Sequence, residues 1–468
     1  MPKKRAKQKT TRKATQPPKL ANSQARPAVK VRMYRQGLGD CFLITLPRKD
    51  GNPYFIMLDC GVILGTTDAG KVMKNVVNDI ISTTQGHIDL LLATHEHWDH
   101  VSGFVQAKDL FGNGKLTVDK VWLAWTEDPN DALAQKLRAK HQALRMALAS
   151  ACARMRIDGS SDSTVDALLE FFGAAGQGST ADGMQFVKGL CEKDNLRFCR
   201  PSDDPVDLPG VGARLFVLGP PHDEKLIDKI NPSKSHQETY GMAEMAESYM
   251  DILKPAITEP DLNAPFDPIQ QIPLEAARQM PFFRARYWGE DADSVEEKDQ
   301  SWRRIDGNWL DISSSLALQL DSATNNTSLV LAIELGSGEV LLFAADAQVG
   351  NWLSWQDLKW TVNGKEVTGP DLLERTVLYK TGHHGSHNAT LREKGLELMK
   401  NLKIALIPVD HAMALKKRWD KMPLDAIEQA LDAVTKGCVL RIDSDIPQTL
   451  SGAVTHDPSK KPYYEVNL

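Results

Sequence analysis

The sequence contains no apolar run that approaches the roughly 18 residues needed to span a bilayer. The N-terminus begins Met-Pro-Lys-Lys-Arg and lacks the apolar stretch of a secretory signal. The six cysteines are scattered, with no Cys-x-x-Cys pair, which argues against a disulfide framework and fits thiols in a reducing compartment. These absences predict a cytoplasmic protein that makes no contact with a membrane.

Acidic residues are absent before Asp40, whereas 12 of the 56 Lys and Arg residues lie there. The rest of the chain carries 44 basic against 61 acidic residues, so a basic segment is joined to an acidic body. Residues 1–30 also have almost no large apolar side chains, and they cannot bury enough surface to offset the entropy lost on ordering. We expect a disordered basic tail, which is either simply solvated or contacts nucleic acid or an acidic partner.

Hydrophobic residues make up 42% and charged residues 25% of the chain, which is typical of a protein with a packed core. β-Prone runs are found at 31–34, 41–46, 54–58, 89–93, 121–125, 213–218, 328–334, 339–344, 377–380, 405–408 and 439–442. An Ala/Leu/Arg-rich helical stretch at about 130–156 lies in a largely helical range at about 127–208. Helical segments alternate with Pro-rich breaks at about 223–320. The pattern predicts one α/β sandwich over residues 31–468, elaborated by two largely helical insertions.

The most informative segment is residues 94–100, THEHWDH, which follows the continuous apolar run at 89–93. Imidazole and carboxylate groups are the ligands that suit zinc and related divalent ions. Alternate residues of an extended chain point the same way, so His95 and His97 can reach one ion while Asp99 and His100 reach a neighbouring one. A polar loop without function is the alternative, but the H-x-H-x-D-H spacing is far more specific than a lone histidine.

Further candidate ligands follow later strands. Asp346 comes just after the apolar run at 339–344, and the sequence GHHGSH after the run at 377–380 contains His383, His384 and His387. A carboxylate has two oxygens that accept, which makes it a natural bridge between two cations. Taken alone, Asp346 would be interpreted as a helix N-cap residue, but its place in this series of polar residues at strand ends favours a metal ligand.

The ordered series Asp59, residues 94–100, Asp346 and His384 resembles the motifs of the metallo-β-lactamase superfamily. Within that superfamily the chain is similar to the metallo-hydrolase domain of competence-type DNA-uptake proteins and their soluble relatives. The elements that carry this finer resemblance are residues 37–44 (GLGDCFLI), 325–331 (NNTSLVL) and 382–386 (GHHGS). The resemblance spreads over about 31–447, excludes both insertions, and implies a four-layer αββα metallo-β-lactamase sandwich.

The resemblance also implies a ligand set for two divalent metal ions, zinc or, as the alternative, manganese. In that set His95 and His97 bind one ion, Asp99, His100 and His384 bind the other, and Asp346 bridges them. Asp59 forms a hydrogen bond behind the ligands and orients the loop. His384 is preferred to His383 as the ligand, so that His383 faces the substrate as a proton donor to the leaving group.

Two departures from the superfamily pattern leave alternatives open. Many members have a further histidine between the central motif and the bridging aspartate, but here only His222 lies near, so either His222 or water completes the first ion. Relatives also tend to carry a His-Pro pair where this chain reads Lys421-Met422-Pro423. Either His411 compensates or it is an ordinary histidine, and the general acid stays open. Asn326 and His387 are additional candidates.

Two adjacent divalent ions lower the pKa of a shared water, from about 15.7 toward 7 for zinc, and the metal-bridging hydroxide can attack phosphorus or carbonyl carbon. The sequence therefore predicts a hydrolase in which Asp99, His383 and Asp59 serve catalysis. The finer resemblance favours a phosphodiesterase or nuclease that acts on nucleic acid or a nucleotide. The alternatives are a small-molecule ester or thioester hydrolase with a pocket roofed by the insertions, and a metal-bound interaction or regulatory module whose insertions form a protein–protein interface.

Overall fold

The computed structural model describes residues 29–111, 115–157, 179–230, 272, 274–289, 300, 303, 320, 322–417, 419, 421–455 and 462–468. The predicted tail lies outside these residues except for its last two, and large parts of both predicted insertions also lie outside. Lys30, which the sequence placed in the tail, belongs to the first strand. In the part of the chain that the structure describes, no helix has the length and apolar character needed to cross a membrane.

Two large sheets form the centre of the fold. The first sheet contains β1 (Lys30–Tyr34), β2 (Phe42–Pro47), β3 (Pro53–Leu58), β4 (His87–Ala93), β5 (Thr117–Ala124), β6 (Leu196–Cys199), β16 (Val454–Thr455) and β17 (Tyr463–Asn467). Its strands lie side by side in the order β16-β17-β1-β2-β3-β4-β5-β6. The second sheet contains β7 (Val206–Asp207), β8 (Arg214–Gly219), β9 (Val330–Glu334), β10 (Val340–Phe343), β13 (Thr376–Lys380), β14 (Ile404–Ile407) and β15 (Val439–Arg441). Its strands lie side by side in the order β15-β14-β13-β10-β9-β8-β7. A separate hairpin is formed by β11 (Lys359–Val362) and β12 (Lys365–Thr368).

The helices among the described residues lie between and around these strands in the chain. They are α1 (Ala69–Thr84), α2 (Trp98–Gln106), α3 (Lys108–Phe111), α4 (Ala132–Ile157), α5 (Thr180–Lys188), α6 (Glu224–Ile227), α7 (Leu274–Gln279), α8 (Pro281–Phe283), α9 (Val349–Ser354), α10 (Gly369–Glu374), α11 (His411–Lys416) and α12 (Asp425–Thr435). A π-helical turn, Arg284–Trp288, follows α8.

The hydrophobic core is divided into layers by the side-chain alternation of the strands. Leu90 and Leu92 of β4 face the second sheet, where they join the same cluster as Leu331 of β9. Leu91, the residue between them, faces outward and packs with helix α1 through Val77. A third cluster covers the outer face of the second sheet. Both faces of β4 are buried, which explains its continuous apolar sequence, and the arrangement confirms the predicted α/β sandwich.

The first predicted insertion is helical in its described parts but also contributes strands. Leu196–Cys199 form β6, which pairs in parallel with β5 at the edge of the first sheet. Helix α4 is held to the body by ion pairs on one side: Lys136 to Glu224 at 2.6 Å and Lys140 to Asp228 at 2.7 Å. The four-residue spacing of the two lysines places them on one face of α4, so this helix is docked against α6.

His141 on α4 gives a prediction about stability. Its side chain is 4% exposed, and its Nε2 has no hydrogen-bond partner among the described residues. Burial, reinforced by Arg145 and Lys140, lowers the pKa of His141 to about 4. Because the unfolded chain binds a proton near pH 6.5 and the folded chain does not, stability is lost as the pH falls from 6.5 toward 4.

We expect His141 to cost the wild-type protein about 2 kcal/mol of stability between pH 7.5 and pH 5. Thermal unfolding of wild type and His141→Leu at both pH values measures this difference, since every other titrating group is common to the two proteins. The variant should lose less stability than wild type on acidification. An equal loss in both proteins would contradict the assignment.

Candidate metal centre

The candidate residues all follow strands at one edge of the sandwich. Asp59 follows β3, and residues 94–100 lead from the end of β4 into α2, where His97 is the N-cap residue. Asp346 follows β10, and His384 follows the neighbouring parallel strand β13. Since β3 pairs in parallel with β4, and β10 with β13, the carboxyl ends of these strands meet at common edges. The topology therefore brings together segments far apart in sequence.

One group of four side chains can hold a cation: Asp99, His100, Asp346 and His384, all buried. The Nε2 of His384 lies 2.9 Å from Oδ2 of Asp99, and the Nε2 of His100 lies 3.1 Å from Oδ2 of Asp346. The cross-distances, from His384 to Asp346 and from His100 to Asp99, are 3.8 and 3.9 Å. Four ligands on tetrahedral zinc are about 3.3 Å apart. The spacing of these atoms therefore suits one tetrahedral cation.

A second group consists of His95, His97 and Asp346. The Nε2 of His95 and the Nδ1 of His97 are 3.1 Å apart, and Oδ2 of Asp346 lies 3.9 Å from the Nε2 of His95. Burial, then repulsion from His100, lowers the pKa of His95 well below its usual value, and burial lowers the pKa of His97 to about 3. Both imidazoles are neutral at pH 7 and present lone pairs, as metal ligands must. The same oxygen of Asp346 thus faces both groups.

Hydrogen bonds behind the ligands fix their orientation. Asp59 accepts from the backbone N–H of Thr94 at 2.7 Å and from Nδ1 of His100 at 2.8 Å. The Nδ1 of His384 donates to the carbonyl of Pro408 at 2.8 Å. These bonds occupy Nδ1 of both histidines and leave each Nε2 to face the centre, the arrangement that metal-binding histidines require.

The backbone is strained at the same place. Asp59, Ala345, His383 and His384 have positive φ angles of 54°, 47°, 41° and 52°. A non-glycine residue with a positive φ angle costs of order 1 kcal/mol or more of conformational free energy, and such residues cluster at functional sites. The strain coincides with the chain segments that carry the candidate ligands.

Asp59 should be sensitive to the loss of one acceptor oxygen. Asp59→Asn keeps the size of the side chain but cannot accept from both Thr94 and His100, so we expect metal affinity or turnover to fall about 10- to 100-fold. Asp203→Asn is the matched control, because Asp203 is partly buried and accepts from the backbone N–H of Arg200 at 3.1 Å, but belongs to none of the groups that can hold a metal ion. Zinc affinity measured by calorimetry should change in the first variant only; equal losses in both would show a general folding effect.

Two charged residues that the sequence analysis gave no role, Asp40 and Lys380, also lie in the centre. The Nζ of Lys380 is 2.5 Å from Oδ2 of Asp40, 2.8 Å from the carbonyl of Ala345 and 3.4 Å from Oδ1 of Asp346. Burial alone would lower the pKa of Lys380, but Asp40 and Asp346 raise it, so the side chain is a cation. The sequence signal was a lysine that ends a buried apolar strand, Thr376–Lys380.

The charges of the centre fit two divalent cations. With the carboxylates ionised and every histidine neutral, as metal binding requires, Asp40, Asp59, Asp99 and Asp346 together with Lys380 leave a net charge of −3 in a buried region. Oδ1 of Asp99 is buried and, among the described residues, has no hydrogen-bond partner. Buried charge of this size needs compensation, and two divalent cations supply it with one positive charge to spare. The nitrogen and oxygen donors suit zinc or manganese.

The structure does not bring His222 or His411 to this centre. His222 is exposed, and its Nε2 pairs with Oδ2 of Asp131 at 2.9 Å. His411 lies on α11, where its Nδ1 donates to the carbonyl of Met422 at 3.0 Å. The alternative in which His222 completes the first group therefore has no support in the geometry.

Asn326 and His387 are also outside both groups. Asn326 is fully buried, and its amide donates to the carbonyls of Ile227 and Lys229 at 3.0 and 2.9 Å. Its oxygen accepts from the N–H of Gln348 at 3.0 Å. Through these hydrogen bonds Asn326 fixes the end of α6 and Lys229 to Gln348.

His383 adjoins the centre and belongs to a hydrogen-bond chain. The hydroxyl of Ser386 donates to Oδ1 of Asn388 at 3.1 Å, so its oxygen accepts from Nδ1 of His383 at 2.9 Å. Nε2 of His383 then carries a lone pair, and Nδ2 of Asn325 lies 3.4 Å from it. Burial lowers the pKa of His383 to about 4. This imidazole is neutral at pH 7, with its proton on Nδ1.

Comparison with protein families finds a match to the metallo-beta-lactamase superfamily over residues 35–180. The matched range contains Asp59 and the H-x-H-x-D-H segment, whereas Asp346 and His384 lie beyond it. A search of curated proteins finds no match to the chain. The match assigns a metallo-β-lactamase superfamily domain to residues 35–180, and the mixed α/β architecture agrees with the sandwich of that fold.

Proposed function

We propose, from the superfamily match of residues 35–180 and the geometry of the centre, that the protein is a dinuclear metal-dependent hydrolase that cleaves phosphodiesters in nucleic acid or nucleotides. The superfamily generally consists of metal-dependent hydrolases. The observation that carries the proposal is the position of Oδ2 of Asp346. This oxygen lies 3.9 Å from Nε2 of His95 in one buried group, and 3.1 and 3.8 Å from Nε2 of His100 and His384 in the other. One shared carboxylate oxygen between two sets of ligands is the arrangement expected for a pair of cations.

In this proposal each side chain has one task. His95 and His97 hold the first cation, Asp99, His100 and His384 hold the second, and Asp346 touches both. When bound, the two cations would activate a water and stabilise the negative charge that develops on the attacked group. The preference for zinc over manganese follows from the tetrahedral spacing of the second group.

The remaining polar residues orient the ligands and move a proton. Asp59 and the carbonyl of Pro408 keep Nε2 of His100 and His384 directed at the centre. Nε2 of His383 would accept the proton that the attacking water releases and pass it to the leaving oxygen, while Nδ1 keeps its hydrogen bond to Ser386. Because burial lowers the pKa of His383 to about 4, the imidazolium is a strong acid that gives the proton up to the leaving oxygen and returns to the neutral form.

The charge of the centre favours an anionic substrate. The protein groups sum to −3, and two divalent cations bring the loaded centre to +1. A phosphodiester carries a single negative charge and complements this centre, whereas a carboxylic ester or thioester is neutral at the bond that breaks. In a buried region such a charge match contributes strongly to binding.

A screen of substrates tests the proposal. The full chain, loaded with zinc or manganese, is assayed on bis-p-nitrophenyl phosphate, DNA, RNA, cyclic nucleotides and a thioester. We expect turnover of at least one phosphodiester. His97→Ala should lose that turnover and stay folded, and His222→Ala, a histidine outside both groups, should keep it. Thioester cleavage with no phosphodiester activity would overturn the substrate class, and retained activity in His97→Ala would overturn the centre.

One observation favours a second candidate, a hydrolase for small esters or thioesters. Arg145 of α4 pairs with Glu96 at 3.0 Å, and Glu96 lies between the two histidines of the first group. Helix α4 is therefore held beside the segment that carries the first group, where it would border a small-molecule site. The relative rates on a cyclic nucleotide and on a thioester in the same screen separate the two candidates.

A further inference from the structure

Lys380 is a buried cation in direct contact with the centre, and the proposed chemistry gives it no task. Its side chain is 1% exposed, and it ends β13 two residues before Gly382. A lysine in such a place is costly unless its charge is paired and its hydrogens are bonded. Here the partners are Asp40, the carbonyl of Ala345 and Asp346.

The two oxygens of Asp346 have different surroundings. Oδ1 faces Nζ of Lys380 at 3.4 Å. Oδ2 faces the Nε2 atoms of His100, His384 and His95 at 3.1, 3.8 and 3.9 Å. The carboxylate is therefore divided between a protein cation on one side and the candidate ligands on the other.

Lys380 also holds the backbone that carries this carboxylate. Its Nζ donates to the carbonyl of Ala345 at 2.8 Å, and the same carbonyl accepts from the N–H of His383 at 3.1 Å. Ala345 has a φ of 47°, a strained conformation for a residue with a Cβ. The lysine thus contacts both the side chain of Asp346 and the peptide just before it.

We propose that Lys380 is a positioning residue that occupies Oδ1 of Asp346, so that Oδ2 alone bridges the two cations, and that Asp40 anchors the lysine for this task. Without this contact Asp346 can rotate and give both oxygens to one cation, which leaves the other cation short of a ligand. The inference rests on the proposed dinuclear centre. It adds Lys380 and Asp40 to the residues that determine how the second cation binds.

A simpler role, charge compensation, makes a different prediction. Replacing Lys380 by methionine changes the charge of the protein groups from −3 to −4, and adding Asp40→Asn returns it to −3. If Lys380 acts only through its charge, Lys380→Met binds zinc more tightly, because the centre becomes more negative, and the double variant returns to the affinity of the wild type. If it acts through its position, the double variant stays weak, because neither variant holds Oδ1 of Asp346.

The experiment is a zinc titration of the metal-free full chain by isothermal calorimetry, which needs no turnover. Wild type should bind two equivalents. Lys380→Met and the double variant Lys380→Met/Asp40→Asn should both bind the second equivalent about 10- to 100-fold more weakly, the usual effect of losing a group that supports a ligand. Lys403→Met is the matched control, since Lys403 is exposed and pairs with Glu339 away from the centre.

The outcomes separate the inference from the proposed function. Zinc binding by Lys380→Met as tight as in the wild type or tighter, or wild-type affinity in the double variant, would overturn the positioning role and leave the dinuclear centre intact. A wild type that binds no zinc or manganese would overturn the proposed function itself. Lys380→Arg keeps the charge but replaces the ammonium with a planar guanidinium. Lys380→Arg should also weaken the binding of the second zinc equivalent. It replaces Lys380→Met as the test variant if circular dichroism shows that the methionine variant does not fold.

Discussion

Replacing Asp346 with asparagine should lower kcat by at least about 10³-fold, with loss of one of the two cations. An asparagine has one acceptor oxygen in place of two, and its amide hydrogens would point toward either Lys380 or the candidate ligands. The substitution also removes a negative charge from the one oxygen that faces both groups. Turnover and metal content of the purified variant measure the two effects.

Asp131→Asn is the control for this prediction. Asp131 is partly buried and pairs with Arg200 at 2.8 Å and with His222 at 2.9 Å, but it belongs to neither metal group. Its substitution should change stability and leave kcat and metal content close to wild type. If Asp346→Asn kept two cations and full turnover, the shared-oxygen geometry would have no catalytic meaning.

Removal of the metal with a chelator should abolish hydrolysis and lower the midpoint of thermal unfolding. A ligand at about 1,000 times its Kd stabilises the folded state by about 4 kcal/mol. The chelated protein also retains four buried carboxylates, which Lys380 and protons on His100 and His384 must balance, since burial lowers the pKa of both imidazoles but the neighbouring carboxylates, Asp346 first, raise it. Differential scanning calorimetry with and without chelator measures the loss of stability.

Restoring zinc or manganese should recover both the activity and the thermal midpoint. The matched comparison is Asp346→Asn, whose midpoint should respond much less to added zinc. If the chelator changed neither the activity nor the midpoint of thermal unfolding of the wild type, a metal-dependent reaction at this centre would be ruled out.

Much of the fold could be predicted because the hydrophobic pattern marks long elements. The run at 89–93 indicated a strand buried on both faces, and β4 is His87–Ala93. Helix α1, Ala69–Thr84, buries Met73, Val76, Val77 and Ile80 at helical spacing. This spacing marks the middle of the helix, but the polar residues Ser82, Thr83 and Thr84 at its end add no apolar signal.

Short pairings with distant partners could not be predicted. β6 has four residues and lies inside the range predicted as a helical insertion; its pairing with β5 joins Val121 to Leu196. Lys30 was assigned to the tail, but it pairs with Asn467 at the other end of the chain. Nothing in the local sequence shows either partner.

The candidate site shows the same division. The H-x-H-x-D-H spacing is local, so the sequence located His95, His97 and their neighbours directly. Asp40 and Lys380 were missed because their ion pair joins residues distant in sequence, and a lysine at a strand end is usually solvated. His222 was proposed from its place in the chain, but its contact with Asp131 is visible only in three dimensions.

The most direct test of the two-cation centre is crystallography of the full chain with zinc, using anomalous scattering at the zinc edge. The account predicts two anomalous peaks on either side of Oδ2 of Asp346, one next to His95 and His97 and one next to Asp99, His100 and His384. A single peak remote from Asp346, or no peak among these side chains at saturating zinc, would contradict it.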